Sequence, residues 1–203
     1  MQLMNRWIDR NLSRLEMVVA WVIILLLVGL FARYMLIVFA RAERSMVNRT
    51  IININTSLKY QAVLYLMKED YKALARLGKV NPMNTMQGEQ IDELLKQGAI
   101  TARQLTSGYT SPVQPANYIG EFHDPNPETL RKGVWYYDTR RGELIYIIRN
   151  DEFFRSDSQG APRLRFKVKI EYADNDGNGM FDPPLDTYRS VRMVSVDHYT
   201  WAP

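Results

Sequence analysis

The residues best suited to chemistry lie in the stretch DNDGNGMFDPPLD near the C-terminal end. Asp174, Asp176 and Asn178, followed by Gly179, match the opening of an EF-hand loop, and Asp182 falls at its ninth position. Alternating carboxylates on a tight turn bring hard oxygen ligands to one point, which is the chemistry of calcium binding. The twelfth position is Leu185 where the EF-hand needs a bidentate acid, and strand patterns rather than helices flank the loop. Two readings stay open: a calcium-binding hairpin loop, or a polar turn built from Asp, Asn and Gly. Calcium, if held, has a structural role; the reading requires no cofactor.

Other chemistries find little support. There is no cysteine, which removes disulfides and thiolate chemistry. The two histidines are His123 and His198, and His123 beside Asp124 reads as a polar loop, because adjacent residues do not form a catalytic pair. Nucleophile elbow, phosphate loop and zinc spacing are all missing. The sequence reads as non-catalytic, with no small-molecule substrate expected. Net charge is +4 over 203 residues, with acids and bases interspersed and no run of five like charges, so no nucleic-acid partner is expected.

The element that must position everything else is Met17 to Ala40, apolar apart from Arg33. As a helix it is roughly 36 Å long, enough for a hydrocarbon core of about 30 Å. Before it, residues 1–16 form a short basic tail with Arg6, Arg10 and Arg14; these favour a cytoplasmic N-terminus, while Arg41, Arg44 and Arg49 oppose it. Ala40 and Ala42 offer an A-x-A cleavage match ahead of Glu43. The apolar run exceeds the 7–15 residues of a signal-peptide core, so a retained single-pass anchor is the expectation. Arg33 can snorkel to the headgroups or meet a carboxylate on a neighbouring membrane helix, with Glu16 the candidate.

Residues 41–78 predict a continuation of that helix. Val47, Ile51, Ile54, Leu58, Ala62 and Tyr65 recur at three- and four-residue spacing, and Gly78 and Pro82 supply a stop. The stripe packs on the protein's own sheet or on another chain; Asn48, Asn53 and Asn55 spoil a coiled-coil pattern. Residues 79–132 read as loop-rich, with a short helix at 89–96 and an N-cap at Asn126-Pro127-Glu128. Residues 133–203 read as a sheet. GVWYYD and ELIYIIR form a hairpin about Thr139–Gly142, residues 163–172 alternate strictly, and a last strand spans Tyr188 to Tyr199. The fold expected is α+β: a long N-terminal transmembrane helix packed on a four-stranded antiparallel sheet.

This order of parts resembles type IV pilins and pseudopilins. Leu12-Ser13-Arg14-Leu15-Glu16-Met17-Val18-Val19 resembles the pilin start, and Trp135, Tyr137, Asp138, Gly142, Leu144 and Tyr146 resemble a pseudopilin hairpin. The resemblance implies that Glu16 matches the family's membrane glutamate. Asn11 stands where prepilins carry Gly before the cleaved bond, and Arg14 interrupts the apolar face. Those departures point to an accessory protein retained in the membrane, most like those of mannose-sensitive haemagglutinin (MSHA) pili. The implied function is non-catalytic pilus biogenesis in a bacterial inner membrane, the N-terminus cytoplasmic and the C-terminal domain periplasmic. Its partners would be pilins, pseudopilins or pilus assembly proteins, reached through Glu16, Arg33, Val47, Ile51, Ile54 and Leu58. The alternative is a membrane-anchored periplasmic ligand-binding or sensing module.

Overall fold

The computed structural model describes residues 2–86 and 113–202, with side chains described from Glu16 onward. The helix expected at 89–96 lies outside the described residues. Two compact units divide at Ala42 and Glu43.

The first unit is helical. Helix α1, Gln2–Met67, begins in it, and no proline interrupts that length. From Glu16 on, α1 is long and apolar enough to cross a membrane. Side chains from Met17 to Phe31 are exposed, Leu25 and Leu30 each by 67 %.

The second unit, Glu43–Ala202, is α+β. Among the described residues it holds the rest of α1, helix α2 (Tyr71–Arg76), four short 3₁₀ turns (Leu77–Lys79, Pro82–Met86, Pro127–Thr129 and Asp151–Phe153) and seven strands. These are β1 (Tyr118–Phe122), β2 (Trp135–Asp138), β3 (Glu143–Ile147), β4 (Phe154–Ser156), β5 (Arg163–Ala173), β6 (Thr187–Ser195) and β7 (Tyr199–Trp201).

The four-stranded antiparallel sheet is corrected to a five-stranded mixed sheet in the order β1-β2-β3-β5-β6. The four expected strands are present and antiparallel. The fifth, β1, runs parallel to β2. It was hidden inside the punctuated 79–132 segment: Gly120 sits mid-strand at φ 109°, and the register shifts between Tyr118 and Glu121. A parallel neighbour needs a crossover of about a dozen residues, which the 123–134 connection supplies, so no hairpin signal announces it. The last strand expected at 188–199 is two. β6 stays in the sheet, while β7 leaves it to pair with β4 as a separate two-stranded ribbon.

The helix expected through residue 78 stops at Met67. Glu69 takes a left-handed turn at φ 53°, and Asp70 restarts the chain as the N-cap of α2, accepting the Ala73 N–H at 3.0 Å. Gly78 is no left-handed cap; it lies in a 3₁₀ turn beside Ile170 of β5.

The core forms between α1 and one face of the sheet. Val47, Ile54, Leu58 and Ala62 pack with Trp135, Tyr146, Leu164, Phe166, Val191 and Met193. Ridges of α1 meet the alternate side chains of β5, as the period-two pattern requires. The other face of the β2–β3 hairpin is also dry: Val134, Tyr136, Ile145 and Ile147 lie under Phe122 and Leu130. Its wet neighbours are ionic, with buried Glu143 facing Lys167 at 3.3 Å and Arg165 at 3.7 Å, and Arg165 clasping Asp197.

Candidate functional site

The helix stripe has a clear location. Val47, Ile54 and Leu58 are buried within the Glu43–Ala202 unit, and Ile51 is half-buried against the same core. Their partner is the domain's own sheet. Val47, Ile54 and Leu58 leave almost no area for a second chain and Ile51 leaves little, which weighs against the partner packing expected of them. The apolar side chains left open on this part of α1 are Met46, Ile52, Val63 and Met67.

One turn before Val47 stands Glu43, a buried carboxylate the sequence reading passed over. Its Oε1 accepts from Tyr146 Oη at 2.9 Å and the Arg149 N–H at 2.7 Å. Its Oε2 accepts from the Asn150 N–H at 2.9 Å and Asn150 Nδ2 at 2.7 Å. Four donors saturate the charge and tie α1 to the end of β3. Burial, then the facing Glu43 charge, pushes the Tyr146 phenol far above its ordinary range, so it stays a donor. A signal existed: Glu43 is in register with the apolar stripe, four residues before Val47. An acid on a buried face announces a partner.

Asn55, read as a flaw in a coiled coil, has a second use. Its Oδ1 accepts the Met193 N–H of edge strand β6 at 2.6 Å. Ser57 likewise donates to the Thr85 carbonyl, fixing the Pro82–Met86 turn on the helix.

The acidic loop forms, and the acids it gathers differ from those picked out by spacing. Carboxylate oxygens of Asp174, Asp176 and Asp186 all lie within 4.8 Å of one another. Asn178 is turned the other way: its Nδ2 donates to Asp176 and Asp182, and its Oδ1 accepts the Met180 N–H. Its amide nitrogen thus faces the acids, and its oxygen is engaged by a backbone N–H. Asp182 meets the loop through that amide rather than through the triad. Asp186, one residue past the empty twelfth position, supplies the missing acid, although it already accepts the Asn175 and Asp182 N–H groups. The Gly179 N–H, more than any other group, holds the Asp174 carboxyl below its ordinary range. For Asp176 the largest influence, the Asn178 N–H, lowers the pKa. Burial, a hydrogen bond with Asp174 and the charges of Asp182 and Asp186 outweigh it and raise the group.

Remaining candidates are separate. His123 Nδ1 lies 3.3 Å from Thr139 Oγ1, exposed and far in kind from any nucleophile–base pair. Asp124 joins Arg140 instead. The Asn126 cap forms as expected, accepting the Glu128 N–H at 3.0 Å. Glu16 and Arg33 are both exposed on α1. Seventeen positions apart they are about 25 Å distant along one helix, too far to pair within it.

The fold and these contacts define a class: a long apolar helix whose continuation is built into the core of an α+β domain. Comparison with protein-family models, curated proteins and solved structures returned no match.

Proposed function

We propose that this chain is a non-catalytic, single-pass inner-membrane component of type IV pilus biogenesis, of the MSHA type and most like the biogenesis protein MshF. Its N-terminus is cytoplasmic and its domain periplasmic, and it acts by packing its apolar helix against pilin-like partners. The observation that carries this reading is α1 itself. Its first half is uncovered and apolar, and its second half is spent on the core of its own domain. Partner packing then falls to the span with Glu16 and Arg33, and to Met46 and Ile52. A photocrosslinker at Ile52 in the native cell is expected to capture a pilin or pilus assembly protein, and a deletion strain to lack pili. Crosslinks to no such protein, together with normal pili in the deletion strain, overturn the reading.

The same proposal gives the 174–186 loop a structural calcium ion, held by Asp174, Asp176 and Asp186. Extracytoplasmic sites of this kind bind at about 10⁻⁴–10⁻³ M. At tenfold excess over such a constant, calcium is expected to stabilise the domain by about 1.4 kcal/mol, seen as a raised Tm. Asp174→Asn is expected to abolish that rise, and a Tm indifferent to calcium removes the ion from the proposal.

A further inference from the structure

Between α1 and the C-terminal ribbon lies a half-open cavity of about 320 Å³, walled by Arg44, Val47, Asn48, Leu164, Tyr199, Thr200, Trp201 and Ala202. Every wall residue belongs to the Glu43–Ala202 unit. The polar side chains in that wall are a guanidinium, an amide, a phenol and a hydroxyl. All of them can donate, and no carboxylate is among them. Arg44 has no ion pair or hydrogen bond among the described residues, whereas Arg140, Arg165 and Arg192 on the same unit all face acids. Trp201 is 4 % exposed, yet its Nε1–H is buried without an acceptor among the described residues. Val47, Leu164 and the indole supply apolar wall beside these donors.

From this convergence we infer that the cavity binds an anionic amphiphile: a phosphate-bearing headgroup joined to an apolar body. Arg44 pairs with the phosphate, Asn48 and Thr200 donate to its oxygens, and the apolar body lies along Val47 and Leu164. The volume is at the small end of ligand sites, about 300–1,000 Å³, and suits a headgroup with a short chain rather than a whole lipid. Arg44 follows the last residue of the apolar run, Ala40, by four positions, so a membrane phospholipid and a free alkyl phosphate are both sources of this chemistry. The inference stands on residues 43–202 and is independent of any pilus role.

The test uses the full chain in neutral detergent, with the indole N–H resonances of its four tryptophans as readout and Trp201→Phe assigning one of them. Dihexanoyl phosphatidylglycerol, hexyl phosphate, dihexanoyl phosphatidylcholine and inorganic phosphate are titrated separately. Saturable movement of the Trp201 signal is expected with phosphatidylglycerol or hexyl phosphate, with the choline lipid and inorganic phosphate weaker by about tenfold. Phosphatidylglycerol binding well ahead of hexyl phosphate identifies the lipid source; equal binding identifies any alkyl phosphate. Arg44→Gln is expected to weaken binding by about tenfold or more, Arg44→Lys to restore part of it, and Arg192→Gln, paired with Glu171 elsewhere, to change nothing. Overturning results are no saturable Trp201 shift with either amphiphile, equal binding of the choline lipid or of inorganic phosphate, or undiminished affinity in a folded Arg44→Gln chain with unchanged circular dichroism.

Discussion

Glu43 shows how much one side chain carries. Replacing it with Ala leaves Tyr146 Oη, two backbone N–H groups and the Asn150 amide unpaired near the end of β3. Bonds to a charged acceptor contribute about 1.5–3 kcal/mol each, and losses at one hub are not additive, so Glu43→Ala is expected to destabilise the domain by about 3 kcal/mol. Tyr146→Phe removes a single donor and leaves three, and should cost about 1 kcal/mol. Urea melts of the full chain order the two variants; equal midpoints contradict the hub. The acidic loop gives a residue-scale prediction of opposite kind. Asp176 has a raised pKa, so the stability it contributes is full at low pH and fades as pH rises through that value. Asp174 has a depressed pKa, so its share is present at neutral pH and lost as pH falls through it. Within the pair the two contributions oppose each other. On the calcium proposal the ion binds the ionised Asp176 carboxylate, so its affinity rises with pH through that group's raised pKa and levels off above it. Calorimetric titrations at several pH values measure this slope, and a flat profile excludes Asp176 as a ligand.

Elements were legible in proportion to the regularity of their period. The alternation of Leu164, Phe166, Val168, Ile170 and Tyr172 was readable, and β5 forms there: Leu164 and Phe166 are buried in the core, with Val168 and Ile170 half-buried against it. The β2–β3 hairpin was visible from Thr139–Gly142, where Gly142 sits at φ 63° and Asp138 Oδ1 accepts the Arg140 N–H. β1 was not visible. It is short, broken by Gly120, and half of its support comes from outside the strand. Asn81, itself buried, donates through Nδ2 to Tyr118 Oη at 2.7 Å and to Glu121 Oε1 at 2.8 Å, and its Oδ1 accepts the Met83 N–H. Asn84 adds a further bond to Glu121. A strand held by side chains some 40 positions away has no local signature. Asn81→Ala is therefore expected to loosen β1 by about 1–3 kcal/mol while β3 and β5 keep their stability. Hydrogen exchange should rise at Tyr118–Phe122 alone; uniform acceleration across the sheet contradicts this account.

At the scale of the whole molecule, α1 has an uncovered apolar part and a part spent on the core, and the sequence could show its length but not where one gives way to the other. Hydropathy sets the apolar run at Met17–Ala40. The stripe beyond it could equally have faced another chain, because a helical period records that a face is buried and not by what. The ligand loop was similarly half legible: acid spacing revealed Asp174 and Asp176, whereas Asp186 is brought to them by the β5–β6 pairing. The division at Glu43 leads to a prediction about which part of the chain can stand alone. A chain of residues 43–203 retains Glu43, Val47, Ile54, Leu58 and Ala62, and with them the helix side of the core. It should fold without detergent and unfold cooperatively. A chain of residues 69–203 loses all five. Trp135, Tyr146, Leu164 and Phe166 then face water, and removing even one fully buried Ile or Leu side chain costs about 2–5 kcal/mol. Three or four such losses together are comparable to the roughly 5–15 kcal/mol by which domains are stable. The shorter chain should aggregate or bind a hydrophobic dye without a melting transition. If it melts cooperatively instead, the helix is an attachment to the sheet and not half of its core.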